Sequence, residues 1–187
     1  MWRRAFRVGL AALALWLSAC ATPTPPPERV YSGRFVAIAA NGERRESVSG
    51  LFTLEVRGAR KTIDLATPVG TTVARIEIEP GRATATGPQL QTASGPDADL
   101  LVEDLTGFRL PVSGLADWID GHPSPDRPAS TQREGGQVSE IKQDGWTIRY
   151  AEYSSVTQRP RRLLLERVQN GAGPALSVRL IVDEPVP

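Results

Sequence analysis

A single cysteine, a single histidine and a single methionine are all that 187 residues hold of three chemically versatile side chains. One cysteine excludes an internal disulfide. One histidine, His122 in a Gly-His-Pro turn, rules out a histidine-rich metal site and leaves a Ser-His-Asp triad little to draw on, so it reads as a solvated loop residue. Charge of one sign is also missing: 22 Lys and Arg face 21 Asp and Glu, which excludes a strongly basic nucleic-acid surface. No Gly-rich loop is followed by Lys-Ser or Lys-Thr, so nothing points to nucleotide hydrolysis, and any directed movement must come from relative affinities. The acid pairs Asp97 with Asp99 and Asp117 with Asp120 fall in helical first and last turns, where they read as caps or solvated faces. RGARKT, residues 57–62, reads as a basic turn. The expectation is a protein that is not an enzyme and has no metal or cofactor.

The N-terminus shows where the chain lives. Residues 1–7 carry Arg3, Arg4 and Arg7 without an acid, an apolar run follows, and residues 17–20 read LSAC. This is a signal peptide over residues 1–19, to be excluded from fold reasoning. Its end resembles the lipobox of bacterial lipoproteins, which implies that the Cys20 thiol is acylated and the peptide is cut before it. RRAF also resembles part of a twin-arginine signal, with the general secretory route as the default. No later run approaches the roughly 18 apolar residues of a membrane-spanning helix. Two or more acyl chains anchor a protein firmly without spanning the bilayer. Removing residues 1–19 takes away three arginines, and the formal charge goes from +1 to about −2. Residues 20–29 then form a Pro-rich tether, whose extended form lifts the domain roughly 20 Å from the bilayer. Ala21 stands where the lipoprotein family's inner-membrane retention signal has Asp, which implies the outer membrane, facing the periplasm.

Residues 30–187 make one domain with enough chain for a sizeable core. Alternation predicts strands over residues 34–39, 48–57, 61–66 and 73–79, with short pieces over 82–86 and 89–92. Asp97 caps a predicted helix carrying Leu100, Leu101, Leu105 and Phe108, with Gly107 near its end. Ser113 is the expected cap of a second short helix with Leu115, Trp118 and Ile119, followed by the Pro-rich loop HPSPDRPAS. Strands return over 138–142 and 146–153 across Asp144-Gly145, and over 161–168 and 175–183 across NGAGP. The sketch is mainly β with inserted helices (α+β): a strongly curved antiparallel sheet with helices over its concave side.

One corner stands apart. DLATPVGTTVARIEI, residues 64–78, reads as two strands joined by a type I turn with Pro68 second, Val69 third and Gly70 fourth, leaving Val69 pointing outward. A single exposed valine is ordinary in itself.

LSAC, the GRF of residues 33–35, LATPVGTTVARIEI, LTGFRLPV, ADWIDGHP and QDGWTIRY occur in an order and spacing that resembles the LolB family of outer-membrane lipoproteins. The resemblance spans nearly the whole mature chain. It implies an incomplete antiparallel β-barrel with a helical lid enclosing an apolar cavity for acyl chains. It also implies a receptor, expected to be monomeric, that takes acylated lipoproteins from a LolA-like periplasmic carrier and inserts them into the outer membrane. The candidates for the cavity lining are Phe52, Leu54, Ile63, Leu65, Ile76, Ile78, Leu105, Trp118, Trp146, Ile148 and Tyr150. Pro68, Val69 and Gly70 become a candidate membrane-insertion loop, with Val69 where the family tends to have Leu. From the residues alone, a lipid-binding or envelope-assembly lipoprotein with a different cargo, or with a filled core and none, stays open beside this.

Overall fold

The computed structural model describes residues 26–168 and 173–184. Among these residues, eleven strands form one antiparallel sheet in the order β6-β5-β4-β3-β2-β1-β11-β10-β9-β8-β7. The first six are β1 (Arg29–Asn41), β2 (Arg44–Arg57), β3 (Arg60–Ala66), β4 (Thr72–Glu79), β5 (Arg82–Gly87) and β6 (Leu90–Gly95). Two short helices follow, α1 (Ala98–Thr106) and α2 (Leu115–Ile119). The rest of the sheet is β7 (Ala129–Glu134), β8 (Gln137–Gln143), β9 (Trp146–Tyr153), β10 (Pro160–Arg167) and β11 (Ala175–Val182). Pairing of β1 with β11 joins the two halves, while β6 and β7 remain edges, so the barrel is incomplete.

Alternation decides which face is which. On β2, Gly50, Phe52, Leu54 and Val56 are buried while Leu51, Thr53 and Glu55 are partly exposed. The inward rows of β4, β9, β10 and β11 meet in one core that includes Ile76, Ile148, Leu163 and Leu180. Fully antiparallel, stepwise connections make strand ends alternate. The 67–70 corner and the Asp144-Gly145 turn therefore sit at one end of the sheet. The start of β1, the Gly58 turn and the 154–159 loop sit at the other.

Two reciprocal glycine–phenylalanine pairs tighten the junction. Gly33 faces Phe52 across β1 and β2, and Phe35 faces Gly50. A Cβ on Gly33 would lie 2.1 Å from the Ile181 carbonyl oxygen and 2.9 Å from the Phe52 ring; one on Gly50 would lie 2.3 Å from the Ala66 oxygen. Each ring lies against the partner strand's glycine, and neighbouring backbone fills the rest of that space.

Differences from the sequence reading have physical causes. Strand β7 has every residue exposed, so no apolar alternation marks it; its polar surface suits an edge that must not pair with another chain. Strands β1 and β2 run longer than their apolar cores because their ends pair with each other, Asn41 with Arg44, without burying side chains. Residues 1–25, and with them the signal peptide and Cys20, lie outside the described residues, as do residue 169 and residues 170–172 of NGAGP. Gly33→Ala is expected to lower stability by about 1 to 3 kcal/mol, the usual cost of overpacking. Urea unfolding checks this, and an unchanged midpoint would show that β1 and β11 can part freely.

Candidate functional site

The concave face of the sheet is covered by two pieces held in different ways. The first is α2, five residues long and too short to persist alone. Ala116, Trp118 and Ile119 are buried under the sheet. The Trp118 indole N–H donates to Gln143 Oε1 at 2.8 Å, and Gln143 Nε2 donates to the Ser124 and Arg127 carbonyls at 2.9 and 3.2 Å. Tyr150 O–H donates to the Trp118 carbonyl at 2.9 Å. Beyond the helix, Asp120 accepts from Arg29 and, at 2.7 Å, from Tyr31. Burial and this bond to Asp120 push the Tyr31 phenol up to about 12, so it stays a donor throughout the physiological range.

The second piece is the strap of residues 108–114 between the helices. Asp97 caps α1 as the sequence predicts, accepting from the Asp99 and Leu100 amides, and Gly107 closes it at φ 77. From there the strap bonds mainly to itself: the Leu110 amide to the Phe108 carbonyl and the Val112 amide to the Leu110 carbonyl, both at 3.0 Å. It pairs with no strand. Beneath it lies an apolar cavity of about 70 Å³. Its roof includes Leu110, Val112 and Leu115; its floor includes Phe35, Phe52, Leu65 and Leu165.

Ser113 fastens the far end of the strap. Its amide and hydroxyl donate to the two Asp99 carboxylate oxygens at 2.9 and 3.0 Å, and its carbonyl accepts from Lys61 Nζ at 2.9 Å. Ser113 is therefore not the cap of α2: Gly114 holds that position without a side-chain bond. Asp99, Asp117 and Asp120 are likewise more than solvated faces. Asp99 binds Ser113, Asp117 lies 3.6 Å from Lys61, and Asp120 takes Arg29 and Tyr31. Lys61 of the basic turn is a tie between sheet and strap. None of these tertiary partners can be read from spacing within a segment.

The sequence candidates separate into groups. Phe52, Ile63 and Leu65 line the apolar cavity. Leu54, Ile76, Trp118, Ile148 and Tyr150 do not: neighbouring side chains pack them into the core, with Leu54 and Ile148 at 0% exposure. Leu105 is partly buried and packs against the same core. Ile78 and Trp146 border a different, polar cavity of about 660 Å³, shared with Asp99, Arg109, Arg127 and Asp144. The sequence list omits Phe35, Leu110, Val112, Leu115, Leu165, Val178 and Leu180. The alternation of β11 carried a usable signal for the last two; the strap carried none, because its residues belong to no periodic element. His122 is exposed. At the corner, the Gly70 amide donates to the Thr67 carbonyl at 2.8 Å, the bond of the expected turn, and Val69 is 89% exposed.

The family profile described as Outer membrane lipoprotein LolB matches residues 27–184. This chain belongs to the LolB family. Among its relatives, the outer-membrane lipoprotein LolB of Cupriavidus pinatubonensis is 36% identical over 96% of this chain and 95% of its own length. That of Thiobacillus denitrificans is 35% identical over 93% and 94%, and that of Ralstonia nicotianae 38% over 82% and 78%. A LolA superfamily protein of Nitrosomonas europaea has a TM-score of 0.46 at 11% identity, covering 86% of each chain. LolB membership makes the chain an outer-membrane lipoprotein of the lipoprotein-localisation system.

Burial pushes the Asp99 carboxyl above its ordinary value of 3.8, and the bonds from Ser113 pull it back only partly. The folded state thus holds this proton more tightly than the unfolded chain. Its contribution to stability falls as pH rises from the unfolded value through the raised folded one. The difference in Tm between wild type and Asp99→Asn is expected to move in favour of wild type as pH falls from about 7 to about 4. A difference independent of pH, followed by circular dichroism, would show that Asp99 titrates as it does in the unfolded chain.

Proposed function

We propose that this protein is the acceptor that takes acylated lipoproteins from a soluble, LolA-like periplasmic carrier and inserts them into the inner leaflet of the outer membrane. Cys20, acylated, anchors it there. Acyl chains enter the space between the strap and the inner face of β1, β2, β3, β10 and β11. The transfer uses no nucleotide and makes no covalent bond to cargo. The observation that carries this reading is the cavity roofed by Leu110, Val112 and Leu115, on a segment without strand pairing.

Magnitudes set the working cycle. Ligand pockets commonly enclose about 300 to 1,000 Å³, several times the space beneath the closed strap. Acyl chains therefore enter only when the strap lifts, with Gly107 as one hinge and Ser113 released from Asp99. Each methylene is worth about 0.8 kcal/mol in leaving water, so a triacylated cargo cannot cross the aqueous gap unaided. It moves down a ladder of affinities from carrier to acceptor to bilayer. A second reading has its own observation: a cavity of about 70 Å³ also suits an envelope-assembly lipoprotein with a filled core and no cargo. That protein would take up no apolar fluorescent probe and receive nothing from a loaded carrier.

Val69 is the delivering tip. Fully burying a valine side chain is worth at least about 1.5 kcal/mol, and a Leu adds about 0.8. In a transfer assay with loaded carrier, acceptor and liposomes, Val69→Glu is expected to receive cargo normally and deliver it slowly, and Val69→Leu to deliver faster than wild type. Equal delivery by all three removes the corner from the mechanism; failure of the wild type to receive cargo removes the acceptor role.

A further inference from the structure

The tether and the Val69 corner leave from opposite ends of the sheet. The Glu28 amide donates to the Val56 carbonyl at 2.9 Å, so the start of the domain lies beside the Gly58 turn. From Cys20 to Glu28 the chain spans at most about 30 Å. Ala66, where the corner begins, pairs with Leu51 and so stands level with Arg34, about 20 Å along the strands from Glu28, and the corner extends up to about 10 Å beyond. A domain standing on its tether would point Val69 away from the membrane that holds Cys20. Val69 reaches that bilayer only with the tether at full stretch or with the barrel tipped onto its side.

The outer face beside the tether is built for such a contact. Antiparallel sheets with one wet face usually carry polar residues there. On β1 the outward positions instead include Val30, Val36 and Ile38, at 53%, 38% and 37% exposure. Cross-strand register sets Leu51, Arg34, Ile181 and Arg162 in one outward row, and Ser49, Val36, Arg179 and Leu164 in the next. Arg34 and Arg179 are exposed diagonal neighbours, about 7 to 8 Å apart. Neither has an ion-pair or hydrogen-bond partner among the described residues. The acids bordering this face are engaged or peripheral. Glu166 pairs with Arg149, Glu152 with Arg161 and Arg162, and Asp183 lies past the end of β11. Two adjacent uncompensated cations among exposed apolar side chains, on a domain of net negative formal charge, call for an anionic, partly apolar counterpart.

We propose that the outer face of β2, β1, β11 and β10 docks on anionic phospholipid head groups and lays the anchored domain on its side, bringing the Val69 corner to the bilayer. The proposal rests on the anchored-acceptor reading above. It adds an orientation set by Arg34 and Arg179 and by the apolar side chains around them.

Because acylation consumes the thiol of Cys20, a cysteine introduced elsewhere can be labelled uniquely. The full lipidated chain, spin-labelled through Ser177→Cys on the docking face or Glu77→Cys on the outer face of β4, is reconstituted in phosphatidylcholine vesicles with or without phosphatidylglycerol. Accessibility to oxygen and to a water-soluble nickel chelate is then read. The Ser177 label is expected at head-group depth only with phosphatidylglycerol, and the Glu77 label in water throughout. Arg34→Glu with Arg179→Glu is expected to reduce the face-down fraction at least about tenfold, since each cation near an anionic surface contributes about a factor of five. Arg34→Lys with Arg179→Lys is expected to keep it. A Ser177 label that stays in water, or that ignores charge reversal, overturns the proposal. So does a charge reversal that leaves label depth intact but blocks cargo uptake from the soluble carrier, since the face then binds the carrier. A wild type that shows the depth pattern yet accepts no cargo keeps the docking face and overturns the acceptor reading.

Discussion

Everything over the concave face depends on Trp118 being buried with its indole N–H satisfied. An incomplete barrel must cover its apolar inner wall with something other than strands, and a five-residue helix has no stability of its own to offer. Trp118 supplies the area, and Gln143 makes burial of the indole tolerable by accepting its hydrogen bond. The same Gln143 side chain ties down the Ser124 and Arg127 carbonyls, so one buried amide fixes the helix and the start of the return to β7. Removing it would leave two buried donors, the Trp118 indole and the Ser124 amide, and the Ser124 and Arg127 carbonyls without this partner, a larger loss than any single bond is worth.

Once α2 is fixed in this way, the covering layer divides into a plug and a strap. The plug is bonded to β8 through Gln143, to β9 through Tyr150 and to β1 through Arg29 and Tyr31. Lifting it would break all of these together. The strap bonds mainly to its own neighbours and to Asp99 and Lys61, so lifting it exposes Leu110 and Val112 at little backbone cost. Elements that must move are drawn from the weakly held part of a fold. The apolar cavity lies under the strap, and the packed aromatic core lies under the plug.

This division explains what could be read from the sequence. Alternation in residues 48–57 and 175–183, the Asp97 cap, the Gly107 stop and the Thr67 to Gly70 turn are local matters of backbone and spacing, and the structure has them where expected. Family landmarks supplied the barrel and the cavity. Assignment of lining against core failed for Leu54, Trp118 and Ile148, because a strand's inward row looks the same whether a plug or a strap lies above it. Ser113, Asp99 and Lys61 were misread for a related reason: their partners lie 14 and 52 residues away. The all-exposed β7 left no apolar trace at all.

The path from cavity to bilayer is short. Leu65 lines the cavity and is half-buried, and Val69 lies four residues further along the same chain, at most about 13 Å at strand spacing. Apolar floor and apolar tip are thus two ends of one stretch, with Ala66, Thr67 and Pro68 between them and no charged side chain among them. An acyl chain leaving the cavity beside β3 would meet no desolvation barrier from an ionised group along this edge. The next acid and base outward, Asp64 and Arg75, are held to each other in a two-point pair with N–O distances of 2.6 and 2.8 Å. The pair neutralises the two charges of the hairpin nearest the corner. On the acceptor reading proposed above, the hairpin of β3 and β4 is the spout by which cargo leaves, apolar along its inner edge.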